Sequence, residues 1–229
     1  MVTSDDNAVK YLIVPYYKNS AIPFVFCGVS WDASDYGFPA SNVTGMVEVA
    51  PVPQIMELLK TYAKGNRLGF IGSDNLTSHR DIEYQTKLYG LNFSDGKFVS
   101  TFDEWKKEYL RLQNTVDMIM WTNPVGIKGW DNVQALEYIL ENTKIPSAGT
   151  SDNIVRFALL GRVRIAAEQG WWSGNTALRI LTGTSPANIP IVGNKESRLY
   201  LNMELAKRLK IKFPMELIEE GTFLESQPD

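Results

Sequence analysis

Small polar and acidic residues recur in one arrangement: Thr3 to Asn7 read "TSDDN", with Asp5, Asp6 and Asn7 at its end; residues 72 to 75 read "GSDN"; residues 150 to 153 read "TSDN". Such groups can do two things. The side chains of Asp5, Asp6 and Asn7, of Ser73, Asp74 and Asn75, and of Thr150, Ser151, Asp152 and Asn153 can hydrogen-bond a polar small molecule. An unpaired buried partner costs roughly 1–3 kcal/mol, so a site of this kind rejects wrong ligands. The same residue types also cap helices, because their oxygens accept the free N–H groups of a first turn. Both readings stand together where a strand runs into a helix. A second set follows apolar runs: Trp31 with Asp32, and Trp121 with Thr122 and Asn123. An indole at a strand end suits stacking on a planar ligand, or else packing between lobes.

Acid/base or metal chemistry finds less material. Asp5 and Asp6 are adjacent at a helix start and point apart, which does not suit a paired-carboxylate mechanism. The one histidine, His79, reads as an exposed first-turn residue, and the one cysteine, Cys27, excludes an internal disulfide and any multi-cysteine metal site. The sequence contains no P-loop, GxGxxG, HExxH or GxSxG pattern. No catalytic residue, metal ligand set or cofactor is assigned.

The elements that must position these groups alternate. Short apolar runs, "AIPFVFCGVS" (21–30), "RLGFIGS" (67–73), "TVDMIMWTN" (115–123) and "KIPSAGTS" (144–151), read as strands buried on both faces. Between them "PQIMELLKTYAK" (53–64), "SHRDIEYQTKLYG" (78–90), "FDEWKKEYLRLQ" (102–113) and "GWDNVQALEYILEN" (129–142) read as amphipathic helices, the third with Phe102, Trp105, Tyr109 and Leu112 on one stripe. Strand then helix, repeated, predicts parallel sheets covered by helices, with ligands taken beyond the carboxyl ends of the strands. The stretch 42–53 breaks the pattern and reads as a crossover between two lobes. Only Met1 to Thr3 remain for a strand before the first helix, so the first lobe is expected to be short of strands. "ESQPD" at the end reads as a frayed tail.

Composition narrows the class. With 229 residues, 44% of them hydrophobic, the chain can bury a real core, and its net charge of -3 gives no global field that would draw nucleic acid or anionic lipid. No apolar run approaches the roughly 18 residues of a membrane span, and there is no signal-peptide pattern in the chain.

The last third, "ALRILTGTSPANIPIV" followed by "LYLNMELAKRLKIKFPMELIEEG", resembles the end of a bacterial family of ABC-transporter substrate-binding proteins, and "SDDNAVKYL", "IPFVFCGVS", "NVTG" and "RLGFIGS" are similar to segments of its sensor-type members. Lys210 stands where the family usually has glycine. The resemblance implies an α/β, two-lobed periplasmic-binding-protein type I-like fold, parallel sheets flanked by helices, closing on a small molecule. It implies a partial first lobe of residues 1–51 and 166–185, a second lobe of 52–165 and 186–229, and a hinge at Asn42, Thr44 and Gly45. It also implies that strand-helix units preceding the "DDNA" segment are missing, so that the first lobe is incomplete and two copies could pair to complete it.

The function expected is non-enzymatic binding of a solute such as an amino acid or nucleoside, extracytoplasmic, serving an ABC permease or a sensor kinase. The competing class is a hydrolase-like or other enzyme on a doubly wound scaffold, with Asp5, Asp74 or Asp152 as base. A third is an interaction module that pairs with itself.

Overall fold

Three residues suffice for the first strand. In the computed structural model, which describes residues 1–224, β1 (Val2–Ser4) pairs in parallel with β2 (Phe24–Ser30), Val2 opposite Val25 and Ser4 opposite Cys27. The expected frayed tail at 225–229 lies outside the described residues. Between these strands α1 (Asp5–Ala8) runs on into a wider π-type helix, Val9–Tyr17, which tolerates Pro15 and buries Val9 and Ile13. A single 3-10 turn, Ala33–Tyr36, leads to β3 (Val43–Glu48).

Six alternating elements then build a second sheet: α2 (Val52–Tyr62), β4 (Leu68–Ser73), α3 (Leu76–Tyr89), β5 (Phe93–Val99), α4 (Phe102–Thr115) and β6 (Met118–Trp121). They are followed by α5 (Asn132–Asn142), β7 (Ser147–Gly149), α6 (Asp152–Val155), β8 (Leu160–Arg164) and α7 (Ala166–Leu181). The described chain closes with β9 (Val192–Gly193), β10 (Ser197–Leu201), α8 (Met203–Leu209), α9 (Met215–Glu220) and β11 (Thr222–Phe223).

The chain divides into two units, Met1–Ala50 with Arg164–Glu196, and Pro51–Val163 with Ser197–Asp229. Unit 1 holds a four-stranded sheet in the order β1-β2-β3-β9, parallel throughout, over a core of Val9, Ile13, Phe24, Phe26, Val29 and Val43. Residues 186–196, assigned from sequence to the second lobe, belong here instead, because Val192 and Gly193 pair with Met46 and Val47. Helix α7 lies unusually on this sheet. It buries Gln169, Ser173 and Thr176 and turns Trp171, Leu178 and Leu181 to solvent.

Unit 2 holds a seven-stranded sheet, β11-β10-β8-β7-β6-β4-β5. The pairings of β4 with β5 and β6, of β7 with β6 and β8, and of β10 with β11 are parallel. The stripe Phe102, Trp105, Tyr109 and Leu112 is buried, as its spacing predicts. A capping box starts that helix: Thr101 Oγ1 accepts the Glu104 N–H, and Glu104 accepts the Thr101 N–H in return. Close packing dictates Gly72, since a Cβ there would sit 1.5 Å from Thr122 Oγ1.

The residues expected to form a hinge, Asn42, Thr44 and Gly45, all lie inside unit 1, which the chain leaves after Ala50. Asn42 Nδ2 donates to the carbonyls of Tyr17 (2.8 Å) and Ile22 (2.7 Å), and its Oδ1 accepts the Asn19 N–H at 2.8 Å. Thr44 Oγ1 donates to Ile189 O at 2.8 Å. At Gly45 a Cβ would meet the Phe26 ring at 2.3 Å. These are packing roles.

Candidate functional site

The carboxyl ends of β4, β6 and β7 in unit 2 bring several of the sequence-predicted residues into one hydrogen-bonded network. Ser73 ends β4, and its Oγ donates to Asn123 O at 2.7 Å. Asn75 caps α3 by accepting the Ser78 N–H at 2.9 Å, while its Nδ2 donates to Ser73 Oγ (2.6 Å) and to Val125 O (2.9 Å). The 123–125 turn is thereby tied to the end of β4. Asn123 Oδ1 then accepts from Val125 N (2.9 Å) and from Asn153 Nδ2 (3.0 Å), and Asn153 Oδ1 accepts the Ser151 hydroxyl at 2.6 Å. "GSDN", "TN" and "TSDN" thus form one chain of donors and acceptors across three strand ends. Chains of this kind fix each other's orientation, which a binding surface requires.

Next to the network lies a cavity of about 410 Å³ lined by Pro124, Val125, Ile127, Trp130, Asn153 and Arg156, among others. Asn153 and Val125 are common to both. Trp130 stands edge-on to Phe157 at 5.4 Å, and its Nε1 donates to Asn132 Oδ1 at 2.9 Å, so the indole is held while part of it stays open. The half-buried Arg156 has its backbone carbonyl taken by Asn202 Nδ2 at 3.1 Å, whereas its guanidinium has no hydrogen bond or ion pair among the described residues. No carboxylate lines this cavity. An unpaired guanidinium can donate to an anion, a carboxamide can donate and accept, and an indole can cover a planar group.

Several expected contacts fall elsewhere. Trp121 is 1% exposed, packed among Trp105, Tyr109 and Phe157 in the core, and Thr122 is equally buried; neither lines the cavity. A strand covered on both faces buries its last residues as well. The indole that lines the cavity comes nine residues later, on the half-buried Trp130. Thr150 is buried, and Asp152 is exposed in the first turn of α6 but outside the cavity lining. Asp74 pairs with His79, Oδ1 to Nε2 at 2.7 Å, and the imidazole stacks on Phe98 with ring centroids 3.8 Å apart. Neither of them lines the cavity. Arg156 and Trp130 were not singled out from sequence. For Arg156 a signal existed, since it lies three residues after Asn153 and so on the same side of a helical turn.

In unit 1 the "SDDN" segment is used internally. Asp6 Oδ2 accepts the Ser30 hydroxyl at 2.7 Å, its Oδ1 accepts the Tyr36 hydroxyl at 2.7 Å, and both oxygens face the Ser30 N–H. Asp5 sits at φ 80° and accepts the Asn7 N–H at 3.0 Å, a local turn that carries backbone strain for a non-glycine residue. Asn7 is exposed. Trp31 is 8% exposed, with its backbone N–H donated to Glu48 O, and Asp32 caps the 33–36 turn by accepting the Ser34 N–H at 2.8 Å.

A family model described as ABC transporter substrate binding protein matches residues 8–222. The chain belongs to that family. It binds a solute for an ABC-type system, and its α/β fold with parallel sheets is the fold of solved substrate-binding proteins. A ligand-free, open substrate-binding protein with adhesive properties from Clostridium difficile is 20% identical, with a TM-score of 0.74 over 99% of this chain and 78% of that one. An ABC domain from Streptococcus pneumonia in complex with L-Trp is 16% identical, TM-score 0.61, over 97% and 79% of the two chains. A conserved domain protein from Vibrio cholerae is 20% identical, TM-score 0.61, over 97% and 77%. No curated protein sequence matches. Members of the family are extracytoplasmic binding proteins, and among the described residues no helix of this substrate-binding protein is long and apolar enough to cross a membrane.

Proposed function

We propose that the solute is a small organic acid with a planar apolar part, an aromatic amino acid in the first place, taken up at the strand ends of unit 2. The observation that carries this reading is the unpaired Arg156 guanidinium on the wall of a cavity shared with Trp130 and Asn153. A ligand carboxylate would make charge-assisted hydrogen bonds to it, worth about 1.5–3 kcal/mol, while the indole covers the planar part. The streptococcal neighbour was solved with L-Trp, which supports the same class. Nucleosides are the competing ligands; they offer a plane but no carboxylate. Titration calorimetry with L-Trp, L-Phe, adenosine and glucose tests the assignment. Binding of the amino acids, weakened about tenfold or more by Arg156→Gln, is expected. Preference for adenosine, or equal affinity in the variant, refutes it.

The protein is further read as a binder that does no chemistry on its solute, located outside the cytoplasm, with a permease or a sensor kinase as its partner. Support for the first point comes from Asp6, whose carboxylate is taken up by Ser30 and Tyr36, and from Asp74, which faces His79 away from the cavity lining. Turnover of any bound amino acid, followed by mass spectrometry, would overturn it. The apolar outer face of α7 supports association of two copies through unit 1. Light scattering that finds only monomer at millimolar concentration would exclude that pairing.

A further inference from the structure

The other end of the unit 2 sheet carries a second hollow, of about 220 Å³, at the amino-terminal ends of β4, β6 and β7. Its floor is apolar, formed by Ile145, Pro146 and Ile211 among others, and its rim carries Lys64, Lys144, Arg208 and Lys210. The one carboxylate in its lining, Asp117, is already engaged: Arg67 donates to it from Nε at 3.1 Å, from Nη2 at 2.9 Å and from its backbone N–H at 2.9 Å. Lys144 gives one hydrogen bond to Asn114 Oδ1 (3.0 Å) and Arg208 one to Glu141 O (2.5 Å), which leaves most of their donors free. Lys64 and Lys210 have no side-chain partner among the described residues. Four cations around one concavity stand against a chain whose net charge is -3. With Asp117 neutralised by Arg67, the uncompensated charges around the hollow are of one sign and draw anions toward it.

We propose that this hollow binds a small organic anion, a phosphate ester on an apolar body, with the phosphoryl group at the lysine and arginine rim and the body on the isoleucine floor. The four cations supply donors in number and charge for a dianion, and the floor separates an ester from free phosphate. The site is independent of the solute cavity, since the two share no lining residue.

Phenyl phosphate serves as probe, with inorganic phosphate and phenol as its two halves, in a titration followed by amide NMR at low ionic strength. Saturable shifts are expected at residues 64, 144, 145 and 208–211, with phenyl phosphate binding tighter than either half. The double variant K64Q/K210Q should bind about tenfold more weakly, and added salt should weaken binding of the parent. The variant keeps its response to aromatic amino acids and its circular dichroism, which separates loss of this site from loss of the solute site or of the fold. Absence of saturable shifts in folded protein, equal affinity in K64Q/K210Q, or phenol binding as well as its phosphate would overturn the proposal. So would an acidic peptide such as hexaglutamate binding tighter than phenyl phosphate, because the occupant would then be a protein segment.

Discussion

Replacing Asn42 by alanine separates a hinge from a structural clamp. Asn42 is 6% exposed and ties the Tyr17–Ile22 loop to the start of β3 by several bonds at once, among them two donated to carbonyls and one accepted from the Asn19 N–H. Each net hydrogen bond is worth about 1 kcal/mol, and a half-buried carbonyl or N–H left unpaired adds to that cost, so the loss should come to about 3 kcal/mol. For a chain of this size that corresponds to a fall in Tm of about 6–12 °C. Thermal unfolding followed by circular dichroism, with urea denaturation for the free energy, reads the effect. Asn42→Asp keeps the acceptor for Asn19 but sets a carboxylate oxygen against two carbonyls, so it should destabilise at least as much at pH 8 and less at pH 4, where it can protonate. A loss under about 1 kcal/mol in the alanine variant refutes the clamp. Unchanged stability with altered ligand affinity would restore the hinge.

Three further outcomes are expected. Gly72→Ala drives a Cβ onto the buried Thr122 side chain and should cost about 1–3 kcal/mol by overpacking, measured in urea; an unchanged midpoint would contradict the packing described. Thr101→Ala removes the hydroxyl of a capping box and should cost about 1 kcal/mol, whereas Thr101→Ser should be nearly neutral. Arg111, with lesser help from Thr115 and the Gly96 N–H, holds the Asp95 carboxyl down to about 2. A depressed folded-state value means the stabilisation is full above the ordinary carboxylate range near pH 4 and is lost as pH falls toward 2. For a side chain 28% exposed this is worth about 1 kcal/mol after solvent screening, and Asp95→Asn should abolish that part of the acid transition.

How far the sequence was legible depends on what each segment buries. The alternation of apolar runs with amphipathic stretches was enough to read β2, β4, β6 and α4, because both faces of those strands and one face of that helix enter a core. β5 escaped: "FSDGKFV" is an edge strand, paired only with β4, so its outward residues are free to be polar and its period is blurred by Asp95 and Gly96. β3 escaped for another reason. Its "VTGMVE" is almost wholly buried, but Thr44 and Gly45, there to bond Ile189 and to clear Phe26, look like turn residues to a reader of composition.

The same logic explains the site. Strand ends could be located from where apolar runs stop, and Ser, Asp and Asn at those ends satisfy both helix caps and the network between loops, so the position of the network was readable. Which indole faces outward was not. Trp121 is the last residue of a strand and Trp130 lies in the loop beyond it, and only the packing of Trp105, Tyr109 and Phe157 around Trp121 decides which ring is spent on the core. Arg156 is legible only once "GSDN", "TN" and "TSDN" are known to meet. Its side chain has no partner among the described residues, and an unpaired, half-buried cation gains meaning from its neighbours in space rather than from its neighbours in sequence. The charge balance behaves likewise: a chain of net -3 leads one to expect no anion site, yet four of its cations gather at one hollow while the carboxylate beside them is held by Arg67. Global charge governs long-range steering, whereas binding is decided over a few ångströms, within which these four cations act.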